Sequence, residues 1–78
     1  MPHISLKMLN GRTEEQKKKL SEALSQAVQN VLNIVDMHVS VTIEDYSAKE
    51  WQEVFKEEIT NKEKFLYKKP EYDPKSLM

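Results

Sequence analysis

The sequence contains no cysteine and no apolar run long enough to span a bilayer. Without cysteine, neither a disulfide nor a thiolate metal site can support the fold. Because the first residues lack the hydrophobic segment of a signal peptide, we expect a cytoplasmic protein that does not enter a membrane. The chain also has no repeat and no low-complexity segment, which predicts one domain over residues 1–78 with an irregular tail over about residues 68–78.

An excess of charge of one sign is missing as well. The chain has 12 Lys and Arg residues and 13 Asp and Glu residues, so the net charge is −1. This balance argues against nucleic acid as a partner. His3 and His38 fall on the polar faces of two predicted strands and stand apart from acidic residues, so we predict no metal site and no cofactor.

Two stretches of alternating apolar and polar residues predict two strands. The first is His3 to Met8, and the second follows Met37, with Val39, Val41 and Ile43 on one face. Between them, apolar residues recur at helical spacing from about Glu14 to Asn33. A strand, a long helix and a second strand in this order predict a parallel β-α-β unit and an α/β fold class.

Each helix start is marked by a capping box, the pairing of a Ser or Thr with a Glu or Gln three residues later. Thr13 with Gln16 opens the first helix, and Ser47 with Glu50 opens a second one. The second helix carries an apolar stripe made of Trp51, Val54, Phe55 and Ile59.

The predicted sheet is too small to be stable by itself. Two strands rarely form an independent sheet, and their free edges invite pairing. We therefore expect a partner subunit to complete the sheet, with two copies joined edge to edge and the helices on one face. A chain of 78 residues can bury only a small core, and oligomerisation is the common remedy for that shortage.

Pro2 is the strongest candidate for chemistry. If Met1 is removed, Pro2 becomes a free secondary amine, and an α-amino group titrates at about 8. An apolar pocket lowers the pKa of such an amine toward neutrality, where it serves as a general base or as a nucleophile toward a carbonyl. The alternative is structural, since a proline is tolerated as the first residue of a strand.

These features together resemble a known family. A proline after Met1, a strand, the segment Gly11-Arg12-Thr13-Glu14-Glu15-Gln16-Lys17 and a valine-rich strand are similar to the 4-oxalocrotonate tautomerase superfamily over roughly the first 55 residues. Further along, Trp51-Gln52, Glu58-Ile59 and the segment from Lys68 to Tyr72 are similar to the dimeric PptA-type tautomerases. The resemblance implies a homodimer, with a hexamer built as a trimer of dimers as the alternative.

The resemblance also implies roles for individual residues. Pro2 matches the catalytic base, Arg12 an arginine that binds the substrate carboxylate, and Trp51 an aromatic wall of the pocket. Ser40 stands where the family has a second arginine, and we take it as a third substrate-binding candidate. Without that arginine, a monocarboxylate enol such as phenylenolpyruvate is a better expected substrate than a dicarboxylate. From the residues alone, Arg12 has the alternative of a surface ion pair with a glutamate at position 14 or 15.

The expected function is a cofactor-independent keto–enol tautomerase that acts on a small 2-keto or enol acid. Two alternatives remain at the level of the sequence. One is a proline-dependent hydratase or dehalogenase of an unsaturated acid, and the other is a non-catalytic oligomeric binding protein.

Overall fold

The structure, a computed structural model, describes residues 1–78. Its regular elements are strand β1 (His3–Leu9), helix α1 (Glu14–Leu32), strand β2 (Ser40–Tyr46) and helix α2 (Ala48–Glu58). Short 3₁₀ turns cover Asp36–His38, Thr60–Phe65 and Pro74–Leu77. The predicted α/β class, with a β-α-β unit and a second helix, is confirmed.

The two strands are parallel and paired along their whole length. His3 is opposite Ser40 at one end, and Leu9 is opposite Tyr46 at the other. Since side chains alternate between the faces of a sheet, one face carries the apolar residues Ile4, Leu6, Met8, Val41 and Ile43. The opposite face carries mostly polar residues, with Leu9 and Tyr46 at its far end.

Both capping boxes form as predicted. The Thr13 hydroxyl accepts from the Gln16 backbone N–H, and the Gln16 side-chain oxygen accepts from the Thr13 N–H. Ser47 and Glu50 repeat this pattern at the start of α2. Helix α1 ends at Asn33, which adopts the left-handed conformation (φ 55°) and donates its N–H to the Gln29 carbonyl. The chain thus fixes the bounds of its helices locally.

The two helices lie on opposite faces of the sheet, so the prediction of helices on one face is wrong. Asp45, which is opposite Met8 on the apolar face, pairs with Lys17 of α1, so α1 lies on that face. On the other face, α2 approaches Lys7 through Glu58, and the Trp51 and Tyr46 ring centroids are 6.4 Å apart. Because α1 already covers the apolar face, the apolar stripe of α2 packs against the end of the second face instead.

Strand β2 also begins later than predicted. His38 belongs to the 3₁₀ turn Asp36–His38 and not to a polar strand face. The ladder stops at Ser40 because its partner strand begins at His3, and the only further bond is from the Ser40 N–H to the Pro2 carbonyl, at 3.2 Å. A proline has no N–H with which to continue a ladder.

The isolated chain buries very little. Only Trp51 and Val54, with 9% and 8% of their surface exposed, are buried. The accessible surface is 6375 Å², whereas a compact monomer of this mass exposes about 4,900 Å². The radius of gyration, 14.0 Å, likewise exceeds the roughly 11.5 Å expected for a compact chain of this length. The fold therefore leaves an open sheet and exposed apolar side chains. No helix has both the length and the apolar character needed to cross a membrane.

Candidate active site

A cavity of about 560 Å³ lies at the end of β1, where the chain turns toward α1. This volume is within the range of small-molecule sites. The lining residues come from the end of β1, the following turn, α2 and the C-terminal segment: Lys7, Met8, Leu9, Asn10, Arg12, Trp51, Tyr72 and Leu77. Five of the eight are hydrophobic, so the cavity is apolar with a few polar groups at its edge.

The turn after β1 determines where Arg12 lies. Gly11 has φ +118°, a conformation that side chains disfavour and that glycine adopts freely. This turn brings Arg12 to the position immediately before Thr13, the N-cap of α1. Arg12 therefore stands at the N-terminal end of α1, where the positive end of the helix dipole also favours an anion.

Arg12 forms no ion pair in the structure. The glutamates that could have paired with it pair with lysines instead: Glu14 with Lys17 at 3.5 Å and Glu15 with Lys19 at 3.3 Å. The surface ion pair considered for Arg12 is therefore absent. Its guanidinium is exposed at the edge of an apolar cavity and is free to bind a carboxylate.

Lys7, the second cation at the cavity, is already compensated. Its ammonium group donates to Glu44 Oε1 and to Ser5 Oγ, both at 3.1 Å, and lies 3.9 Å from Glu58 Oε1. The hydrogen bond that Lys7 donates to Glu44 is the main cause that raises the pKa of Lys7 above its usual value. Arg12 is therefore the one cation of this cavity without an acidic partner.

Trp51 forms a fixed wall of the cavity. The indole is 9% exposed, and its Nε1–H donates to the Tyr72 hydroxyl at 2.9 Å. Tyr46 approaches the same ring at a tilt of 55°. Tyr46 also donates to Glu44, and desolvation, with a smaller contribution from that carboxylate, raises the pKa of its phenol. Trp51 therefore packs within the apolar stripe of α2 and also forms a wall of the cavity.

Pro2 and Ser40 lie at the opposite end of β1. The Ser40 N–H donates to the Pro2 carbonyl, and the Ser40 hydroxyl is hydrogen-bonded to His3 Nδ1 at 2.7 Å. Leu9 follows Pro2 by seven residues, a distance of about 23 Å at the usual rise of a strand. The four candidate residues therefore form two pairs within one chain: Pro2 with Ser40, and Arg12 with Trp51.

Met1 precedes Pro2 in the structure, so the Pro2 nitrogen is a peptide nitrogen there. Met1 is 97% exposed, and no packing of the fold protects it from removal. No three His, Asp or Glu side chains converge as a metal site would require.

Tyr72 and Leu77 were not among the predicted site residues. The segment from Lys68 to Tyr72 resembles PptA-type chains, but nothing in the pattern of residues places it at the end of β1. The signal available in the sequence was an aromatic residue between two prolines, Pro70 and Pro74.

Comparison with known proteins identifies similar chains. A family model described as a tautomerase enzyme matches residues 2–54. The chain is 34% identical over 73 residues to a probable tautomerase of Xylella fastidiosa (strain 9a5c), covering 92% of this chain and 89% of that one. It is 30% identical over 73 residues to Tautomerase PptA of Escherichia coli O127:H6 (strain E2348/69), covering 92% and 97%.

A solved structure shares the fold. The crystal structure of apo unfused 4-OT superimposes with a TM-score of 0.60 at 37% identity, covering 63% of this chain and 80% of that one.

Proposed function

The chain belongs to the tautomerase family, and from that premise we propose that its catalytic base is the α-amino group of Pro2, exposed when Met1 is removed. Tautomerase activity, the isomerisation of keto and enol forms, follows from the family. The base, the substrate and the subunit arrangement are proposed below from the geometry of the chain. The relatives favour this function over a non-catalytic role.

The observation that carries the proposal is the free Arg12 guanidinium beside Trp51 in one apolar cavity. An arginine presents a planar fork of donors that matches a carboxylate. In an apolar surrounding, this interaction is stronger than in water. The cavity therefore suits an organic acid, with the carboxylate on Arg12 and the rest of the molecule against the indole.

The distance along β1 decides how Pro2 reaches this substrate. Within one chain, Pro2 is too far from the cavity to act on an acid held by Arg12. If two copies join with their β1 strands antiparallel, the first residues of one strand lie beside the last residues of the other. We infer that Pro2 of one chain acts at the cavity formed by Arg12 and Trp51 of the partner subunit, in a homodimer.

In the proposed reaction, the neutral Pro2 amine accepts the proton of the enol hydroxyl. The enolate that forms keeps its negative charge beside Arg12, which also holds the carboxylate. The protonated amine then returns the proton to the neighbouring carbon, and the enolate becomes the ketone. The proton is conserved, and no group other than Pro2 needs to carry it. Apolar walls favour the neutral amine because desolvation disfavours its charged form.

The proposed substrate class is a monocarboxylate enol with an apolar tail, such as phenylenolpyruvate. Lys7 is occupied by Glu44, and Ser40 carries no charge. A second carboxylate would therefore be buried without a partner, which is costly. Trp51 and the hydrophobic lining residues accept an aromatic ring instead.

The test is the rate of phenylenolpyruvate ketonisation by protein whose N-terminus is confirmed by intact mass. General base catalysis contributes roughly 10²- to 10⁴-fold, so protein that retains Met1 should lose activity by that order. Pro2→Ala, which places a primary amine where the proline has a secondary one, should lose part of its activity. Protein that retains Met1 is the matched control, since it has every side chain but no amine at Pro2. Full activity in the Met1-retaining protein would refute the Pro2 amine as the base.

A further inference from the structure

The C-terminal residues supply one wall of the candidate active site. We call residues 71–78 the C-terminal strap. Tyr72 and Leu77 of this strap line the cavity together with Arg12 and Trp51, whereas the remaining lining residues belong to the end of β1 and the turn after it. Without the strap, the cavity would be open to solvent on that side.

The strap is held to α2 by three contacts. The Tyr72 hydroxyl accepts from Trp51 Nε1 at 2.9 Å, and the Tyr72 ring meets Phe55 edge-on, with centroids 5.7 Å apart. Gln52 Nε2 donates to the Pro74 carbonyl at 2.8 Å. These contacts are specific in direction, so they fix the position of the strap rather than only its proximity.

The strap is also braced internally. The Asp73 carboxylate accepts from the Lys75 N–H at 3.0 Å, and the Ser76 hydroxyl donates to the Asp73 carbonyl at 2.6 Å. These bonds cap the 3₁₀ turn Pro74–Leu77, which brings Leu77 to the cavity. Leu77 is 37% exposed, so its side chain has surface left to bury.

We propose that the C-terminal strap determines substrate specificity, with Tyr72 and Leu77 selecting acids that carry an aromatic group beyond the carboxylate held by Arg12. Aromatic rings gain from edge and offset contacts with Trp51 and Tyr72 as well as from burial. A small acid would leave Leu77 and the rings exposed to water. The proposal rests on the proposed function for the identity of the reaction, but the binding preference itself can be measured without turnover.

Trp51 is the only tryptophan of the chain, so its fluorescence reports directly on the cavity. Cinnamate and crotonate are suitable probes because they share an unsaturated acid frame and differ in a phenyl or a methyl group. Neither carries an enol, and dissociation constants from fluorescence titration therefore need no catalysis. Burial of the additional apolar surface of a phenyl group predicts that the wild type binds cinnamate about tenfold or more tightly than crotonate.

The variants separate the strap from general effects on folding. Tyr72→Ala and Leu77→Ala should each remove most of the preference for cinnamate, because each lowers the affinity for cinnamate more than the affinity for crotonate. Tyr72→Phe keeps the ring and should keep the preference. Tyr67→Ala is the matched control, since Tyr67 is fully exposed and lies outside the cavity.

Three results would overturn the specificity role of the strap: equal affinities in the wild type, no binding of either acid, or a preference that survives both Tyr72→Ala and Leu77→Ala. The proposed function fails in a different way. If wild-type protein without Met1 prefers cinnamate but does not ketonise phenylenolpyruvate, the specificity proposal stands and the assignment of the reaction is wrong.

Discussion

At the scale of single residues, Arg12 differs from the other cations near the cavity. Lys7 and Lys17 are paired with acidic side chains, and those partners raise the pKa of both lysines. Arg12 has no such partner, although two glutamates follow it closely in the chain. An unpaired guanidinium beside apolar walls is the arrangement expected of a group that binds an anion.

Arg12→Gln should raise the KM for phenylenolpyruvate by about 10- to 100-fold, because a hydrogen bond to a charged group contributes roughly 1.5 to 3 kcal/mol. Arg12→Lys should lie between this variant and the wild type, since a lysine keeps the charge but not the planar fork. Steady-state kinetics on processed protein measures both.

Lys18→Gln is the control for Arg12→Gln. It removes the same charge from an exposed residue of α1 that forms no ion pair and does not line the cavity. Its KM should stay within about twofold of the wild type. An unchanged KM in Arg12→Gln would mean that the carboxylate binds elsewhere.

At the scale of elements, local signals in the sequence were sufficient to locate the first strand and the starts of both helices. Alternation located β1, and the Thr13 and Ser47 capping boxes located the starts of both helices. These features depend on neighbours within a few residues, so the sequence could predict them.

Features that depend on distant packing were not predictable in the same way. The face chosen by α2 follows from the cover that α1 already provides, and the first residue of β2 follows from where β1 begins. The strap is held at the cavity by hydrogen bonds from Trp51 to Tyr72 and from Gln52 to Pro74. These partners are 21 and 22 residues apart in the sequence. Periodicity does not encode such contacts.

The capping box of α2 predicts a dependence of stability on pH. The hydrogen bond from the Ser47 backbone N–H, and secondarily the Ser47 side chain, lower the pKa of Glu50 below its usual 4.5. The folded state therefore binds this proton less readily than the unfolded state. The stabilisation is present above about pH 4.5 and is lost as the pH falls through the lower folded value.

Glu50→Gln should make the melting temperature less dependent on pH below about 4.5, because glutamine keeps the acceptor for the Ser47 N–H but does not titrate. Thermal unfolding followed by circular dichroism across this range tests the prediction. Glu53→Gln is the control, since Glu53 is exposed and forms no hydrogen bond or ion pair. Identical acid dependence in the wild type and Glu50→Gln would show that the cap contributes nothing through its charge.

At the scale of the whole molecule, the exposed surface and the separation of the candidate residues suggest the same arrangement. The chain exposes roughly 1,400 Å² more than a compact monomer of its mass, which is within the range that each subunit of an obligate homodimer buries. The length of β1 keeps Pro2 away from Arg12 within one chain. This separation follows from the rise of a strand. The residue roles suggested by the family resemblance do not by themselves reveal that two chains are needed to bring Pro2 and Arg12 into one site.

The most direct test of this account is to mix subunits that retain Met1 with Arg12→Ala subunits that lack it and to measure ketonisation of phenylenolpyruvate well below the wild-type KM. Each protein alone, taken through the same unfolding and refolding, serves as the control and should be nearly inactive. In a mixed dimer, one site combines Pro2 of the Arg12→Ala chain with Arg12 of the Met1-retaining chain. Random mixing should therefore restore about a quarter of the wild-type activity, in a particle of twice the 9.2 kDa of one chain. If the mixture stays as inactive as its parents although mixed dimers are present, the site does not combine Pro2 of one chain with Arg12 of another, and the account is wrong.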